Sequence, residues 1–284
     1  MIGVCNVNTL DFDSFERDRK FQELEGREVF NAPFVSINNN KQDPNDFDCI
    51  VLSDQFIPQV DNLNSKLKIA HLEEPYCFTH QYYNYVMQNI DKFDLVFTHH
   101  EEFVGIHEKI KYYPFGAVSI KREDFDVYPK NKHCSIIASQ KNFLHGHSLR
   151  HEVIKKLDPE VYTIKQGEPF EYKLKYLKDY RFSIVIENSK RDYYFTEKII
   201  DCFKTGTVPI YWGCPSIGDY FDETGIITWS TMEELMSILE NLSEKDYTDR
   251  LDAINANFHE ANKYFYQFEW MWENGIKELY GGLK

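Results

Sequence analysis

No stretch of this 284-residue chain approaches the roughly 18 consecutive apolar residues that a membrane-spanning helix requires. Its opening residues, MIGVCNVNTLDFD, have neither the basic region nor the apolar core of a secretory leader. On these two absences the expectation is a soluble, cytoplasmic protein with no integral membrane segment. Positive charge is also short. Against 46 Asp and Glu there are 32 Lys and Arg, a formal net charge of -14, which argues against non-specific binding to nucleic acid or to an anionic membrane as the main activity. Any basic patch has to be local. The six cysteines, at positions 5, 49, 77, 134, 202 and 214, show no paired spacing. Several sit in apolar, strand-like settings, so buried free thiols are expected in place of a disulfide framework. Long-period repeats and low-complexity tracts are missing as well.

What is present is material for ordered cores: 42% of the residues are hydrophobic and 16% aromatic. The length lies near the roughly 250 to 300 residues at which single cores divide, which points to two domains. Strand-like segments alternate with helical ones. Ile2–Val7, Asp48–Ser53, Lys68–Leu72, Asp94–Thr98 and Lys111–Gly116 read as strands, with helices over Asp11–Gly26 and Tyr82–Ile90. A charged, aperiodic segment from Val118 to Lys132 reads as the interdomain connection, after which the alternation restarts. His133–Ser139, Val161–Ile164, Phe182–Ile186, Val208–Trp212 and Ile226–Trp229 are expected strands, and Leu149–Leu157 a helix. Thr231 followed by Glu234 has the spacing of a capping box. The last part, Glu244–Leu279, is helical by pattern, and its aromatic run from Tyr264 to Trp272 must be buried.

The most informative stretch runs from Phe182 to Pro215. Phe182–Ile186 is a nearly continuous apolar run, as in a parallel strand covered on both faces. It turns at once into Glu187-Asn188-Ser189-Lys190-Arg191-Asp192, at the strand end where open α/β sheets hold ligands. Thr196 is a good N-cap for a short helix that Gly206 ends. The start of that helix offers backbone N–H groups to an anion. Glu197 and Lys198 diverge by about 100° on a helix, so one can take ribose hydroxyls while the other takes phosphate. Arg150 adds a fork-shaped phosphate contact. Solvent-facing surface charge is the competing reading of the same residues.

Glu187-Asn188-Ser189, Tyr194-Phe195-Thr196-Glu197-Lys198 and Val208-Pro209-Ile210-Tyr211-Trp212-Gly213-Cys214-Pro215-Ser216 together closely resemble the donor-binding signature of glycosyltransferase family 10, the α1,3/4-fucosyltransferases. The resemblance is strong over about 35 residues and weak in the first half of the chain. It implies an α/β GT-B fold: two facing Rossmann-like domains, over 1–120 on the acceptor side and 121–262 on the donor side, with C-terminal helices from 263–284 packing back across them. It implies an inverting transferase that moves L-fucose from GDP-fucose to a hydroxyl of a glycan acceptor, with no cofactor and no metal. By the same resemblance Glu197 holds the ribose, Lys198, Tyr194 and Arg150 hold the diphosphate, and Glu187 and Asn188 line the donor pocket. A transferase of another GDP-sugar, or a nucleotide-sugar-binding protein without catalysis, would keep the same donor residues.

Inverting displacement needs a base for the acceptor hydroxyl and positive charge for the departing diphosphate. Arg150 and Lys198 suit the second role. The family's base lies in the first domain, in a Glu-rich segment just before a proline, which Glu73-Glu74-Pro75 resembles. The family's usual Glu-Ser-Pro differs from the doubled acid here, so Glu73 is preferred, Glu74 second, and His71 third. Three Asp-x-Asp triplets, at 11–13, 46–48 and 124–126, carry little weight as metal motifs because acidic, Phe-rich chains produce them readily. His145, His147 and His151 have ligand-like spacing but no completing acid or thiol, and are expected on the surface or the acceptor side.

Overall fold

A computed structural model describes residues 2–5, 34–37, 43–167, 170–264 and 267–283. The helix expected over 11–26 lies outside the described residues. The chain divides into two compact units, Met1–Phe115 with Tyr266–Lys284, and Gly116–Phe265.

The first unit is built on six parallel strands: β1 (Ile2–Cys5), β2 (Phe34–Ser36), β3 (Cys49–Ser53), β4 (Leu67–Leu72), β5 (Leu95–Thr98) and β6 (Ile110–Tyr112). Their order is β2-β1-β3-β4-β5-β6, and every pairing is parallel. Every residue of β1, β3 and β5 is buried, which is why these segments are continuous apolar runs and not alternating ones. Ile50, Leu52, Ala70, Leu72 and Val96 pack with Tyr83 and Val86 of helix α1 (Tyr76–Gln88). This helix begins six residues earlier than its apolar pattern suggested. Pro75 stands at its N-cap with φ −60°, and the Pro75 carbonyl accepts from Phe78 N and Thr79 N. Proline's fixed φ prepares a helix start even where the following residues, Tyr-Cys-Phe-Thr-His-Gln, show no clean period. From the C-terminal residues, Phe268, Met271, Trp272 and Ile276 are buried in the same unit, with the Phe268 ring 5.7 Å from those of Phe34 and His71.

The second unit carries β7 (Lys132–Ala138), β8 (Tyr162–Gln166), β9 (Tyr180–Ile186), β10 (Val208–Trp212) and β11 (Ile227–Thr228), in the order β11-β10-β9-β7-β8 and again parallel throughout. The strand order reverses direction between β7 and β9. In a doubly wound sheet that reversal opens a crevice at the carboxyl ends of the two strands. Helix α2 (His145–Lys156) leads away from β7, and α3 (Glu197–Phe203) lies between β9 and β10 in sequence.

Several local expectations hold. Thr196 is the N-cap of α3, its hydroxyl accepting from Lys198 N. Gly206 has φ +68°, and the bonds Gly206 N to Phe203 O (3.2 Å) and Thr207 N to Cys202 O (2.9 Å) form a complete Schellman stop. At Thr231 the cap is half as expected. Its hydroxyl accepts from Glu234 N, but the Glu234 carboxylate turns to Ser230 N instead of Thr231 N. The segment from Val118 onward, expected as the interdomain connection, is held against the second unit. Val118 and Ile120 are buried, and Ser119 N and Ile120 N both donate to the Asp201 carboxylate. All six cysteines are free, with Cys77 alone exposed.

Helix α2 meets the end of β9 at Gly146, whose N–H donates to Asn188 O. A Cβ there would stand 1.8 Å from Glu187 O. Gly146→Ala is therefore expected to cost about 1–3 kcal/mol through forced backbone movement. Gly281→Ala, where a Cβ would meet nothing within 4 Å, should stay within about 0.5 kcal/mol of the parent. Urea denaturation of the two variants checks this; equal stabilities would contradict the close approach.

Candidate functional site

At the carboxyl end of β9 the chain changes from five buried apolar or small residues to Glu187, which is 0% exposed. An isolated buried carboxylate is costly, so its partners are the first question. Oε1 accepts from Thr196 N at 2.9 Å and Oε2 from the Thr196 hydroxyl at 2.7 Å. Lys198 Nζ lies 3.3 Å from Oε2 and donates to Thr196 Oγ1 at 2.9 Å. The N-cap of α3 is thus held by a carboxylate of the chain itself, while the amide of Lys198 in the first turn is taken by the Thr196 hydroxyl.

Arg150 approaches from α2, where it is the sixth residue and not the second, because the helix starts a turn earlier than its apolar pattern indicated. Its Nε and Nη2 donate to the Ile186 carbonyl at 2.8 and 2.5 Å, and Nη2 also to Asn188 Oδ1 at 2.8 Å. Nη1 has no protein partner in these bonds. Arg150 is 5% exposed, and its guanidinium sits at the carboxyl end of β9. Tyr194 is 1% exposed, next to Tyr193, which holds a left-handed φ of +62° while its N–H donates to Ser216 Oγ. Such a conformation is strained for a bulky residue, and strain of this kind collects at functional sites.

Glu197 lies beside Lys198, with Oε1 3.3 Å from Lys198 Nζ and 3.3 Å from Lys173 Nζ. Burial acts to raise its carboxyl, but Lys198 and Lys173 overcome this and hold it well below the ordinary carboxylate range. It is ionised at any working pH. Lys173 also contacts Asp201 Oδ2 at 2.9 Å. Burial works against its charge, yet Asp201 and Glu197 leave the ammonium above its ordinary value. The structure thus brings Arg150, Glu187, Asn188, Glu197 and Lys198 into one network, and places Tyr194 within the same β9–α3 segment. Lys173 and Asp201 were missed. Asp201 had a signal, an acid four residues after Glu197 within the apolar run Ile-Ile-Asp-Cys-Phe, which calls for a buried cation. Lys173 had none, because Glu-Tyr-Lys-Leu-Lys-Tyr-Leu-Lys reads as a solvated face.

His147 departs from its expected surface position. It is buried, and its Nδ1 accepts from Leu144 N at the start of α2. Burial and neighbouring Arg150 push its imidazole down to about 4, so it serves as a neutral cap. His145 packs on Trp212 with ring centroids 5.3 Å apart, and His151 Nε2 lies 3.0 Å from Lys141 O. Among the described residues no group of three or more His, Cys, Asp and Glu is placed to hold a metal ion. No helix among them is long and apolar enough to cross a membrane.

In the first unit Glu73 and Glu74 follow β4 directly. Their N–H groups donate to the two oxygens of Asp54, each at 3.1 Å. Asp54 follows β3 with φ +39°, and burial, reinforced by Glu73, raises its carboxyl well above the ordinary value. Glu73 is 4% exposed. Its carbonyl lies 3.0 Å from His99 Nε2 and its Oε1 accepts from Gln267 Nε2 at 3.2 Å. Glu74 is half-buried, its carbonyl bonded by Tyr83 and Thr79. His71 is wholly buried, with Nδ1 2.8 Å from Ser53 Oγ, and burial followed by His99 pushes it down to about 3.

The family model "Glycosyltransferase family 10 (fucosyltransferase) C-term" matches residues 127–273, just over half of the chain. The α-(1,3)-fucosyltransferase FucT of Helicobacter pylori is 32% identical over 100 residues, 34% of this chain and 21% of that protein. The α-(1,4)-fucosyltransferase of Arabidopsis thaliana is 32% identical over 68 residues, 23% of this chain and 17% of the relative. The chain thus matches about a fifth of these relatives' length. Among solved structures, an α1,3-fucosyltransferase with GDP-fucose superposes with a TM-score of 0.54 at 16% identity, covering 94% of this chain and 89% of that one. HepE of Anabaena in complex with UDP-glucose gives a TM-score of 0.64 at 10% identity and covers 99% of both chains. These structures share the GT-B fold of this protein. By its match over 127–273, which takes in the whole Arg150–Glu187–Lys198 network, the chain belongs to glycosyltransferase family 10, the fucosyltransferases.

Proposed function

We propose that this protein transfers L-fucose from GDP-fucose to a hydroxyl of a glycan acceptor, with inversion at the anomeric carbon and without a metal ion. The observation that carries the reading is the buried network at the end of β9, in which Arg150 and Lys198 concentrate positive charge beside an ionised Glu197 in a chain of net charge -14. The fucosyltransferase structure with GDP-fucose, which has the same fold, supports GDP-fucose as the donor. Glu197 takes the ribose hydroxyls, as a carboxylate accepts from them. Arg150 Nη1 and Lys198 Nζ take the diphosphate, supported by Tyr194, with Asn188 fixing the guanidinium.

In the displacement, the acceptor oxygen bonds to the anomeric carbon as the carbon–oxygen bond to GDP breaks. The acceptor's proton passes to a carboxylate, for which we assign Glu73. Negative charge grows on the departing diphosphate, where Arg150 and Lys198 do the work that a divalent cation does elsewhere. Glu73 suits a base because its backbone is held by Asp54 and His99 and its side chain by Gln267, so its carboxylate has little freedom to misplace.

Three outcomes are expected. GDP at a hundredfold excess over Kd should stabilise the protein by about 2.7 kcal/mol, and Glu197→Ala and Lys198→Ala should each abolish that gain in a thermal-shift titration; an undiminished gain would refute the donor assignment. Glu73→Gln should retain the GDP shift while lowering kcat by about 10²- to 10⁴-fold, and Glu74→Gln should lower it far less. A Glu73→Gln enzyme that turns over normally transfers the base role to Glu74. Finally, turnover measured as GDP release should survive an excess of EDTA, and a loss restored by Mn²⁺ would overturn the metal-free chemistry.

A further inference from the structure

Lys198 and Lys173 both approach the Glu197 carboxylate at Oε1, each at 3.3 Å. Lys198 is an uncertain anchor for that carboxylate, because its ammonium is shared with Glu187 and Thr196 and is the one a diphosphate would draw away. Lys173 is a different case. It comes from the turn Phe170–Tyr176, is 9% exposed, and its ammonium is tied to Asp201 Oδ2 at 2.9 Å and to Ser119 Oγ at 3.0 Å. Asp201 is itself fixed, its Oδ1 accepting from Ser119 N at 2.8 Å and Ile120 N at 3.3 Å. Glu197 and Asp201 stand one turn apart on α3, so their charges would repel without a cation between them.

We propose that Lys173, anchored by Asp201 and Ser119, is a positioning residue for the donor: it pins Glu197 Oε1 so that the carboxylate faces the ribose hydroxyls in one orientation, whether or not Lys198 has moved to the diphosphate. This rests on the reading of Glu197 as the ribose ligand. The contact survives donor binding because none of Lys173's named partners belongs to the phosphate side of the network.

The test is the affinity of the full chain for GDP and for 2′,3′-dideoxy-GDP, measured by calorimetry in wild type, Glu197→Gln, Lys173→Met and Lys173→Arg. The wild type should favour GDP by at least tenfold, since a site made to bond a hydroxyl rejects the analogue that lacks it. Lys173→Met should bring that preference to within about threefold while leaving dideoxy-GDP affinity unchanged, and Lys173→Arg should restore most of it. The GDP affinity of Lys173→Met should also fall with acid at a higher pH than in the wild type, as Glu197 loses a cation that keeps it ionised. Should Lys173→Met fail to fold because Asp201 is left unpaired, the double variant Lys173→Met/Asp201→Asn removes both charges and is read in the same way. A folded variant that keeps the full ribose preference overturns the positioning role. A wild type without that preference, or a Glu197→Gln protein that retains it, overturns the ribose assignment of Glu197 itself.

Discussion

The burial of the Glu187 carboxylate is the constraint on which the second unit's site depends. A charge with no exposure has to be answered within the chain, and here the answer organises the start of α3. Thr196 is fixed as both N-cap and ligand, and Lys198 is drawn back over the first turn of its own helix. Breaking such a pair by removing one partner costs about 3–5 kcal/mol. Glu187 therefore acts on a ligand through the groups it holds: with both its oxygens occupied, it sets where Lys198 begins.

The first unit solves a similar problem differently. Asp54 is a buried acid with backbone N–H groups as its hydrogen-bond partners, one from each of two consecutive glutamates. Its strained φ and raised carboxyl show that this arrangement is costly. What it secures is the conformation of the chain at the end of β4, where Glu73 has to be held. The doubled acid that left two residues open in the sequence is resolved into two environments, one buried and bonded to Gln267, the other half-exposed.

Legibility followed the range of the interactions. β10 was placed to the residue, and the Thr196 cap and Gly206 stop were read correctly, because each is decided within a few residues by an apolar run, a hydroxyl or a left-handed glycine. The family signature was legible for the same reason, being almost contiguous. The start of α2 was not, since Leu-His-Gly-His has no helix signal and is held by Gly146 packing on Glu187 O and by a buried histidine cap. The packing of the segment after Val118 was not legible because its charged composition says nothing of Asp201, some 80 residues on, which clips it down. Lys173 is the extreme case, an ordinary lysine among lysines until the fold sets two acids beside it.

The first unit is assembled from both ends of the chain. Its core contains Phe268, Met271, Trp272 and Ile276, and Phe268 packs on Phe34 and His71, whereas residues 116–265 form their unit without interruption. Translation runs in one direction at about 5–20 residues per second. Residues 116–265 can therefore close their core while synthesis continues. The unit that carries Glu73 must wait for Phe268 to leave the ribosome, with the apolar surface awaiting that ring uncovered for about 10 to 40 seconds after the Glu73 codon is read.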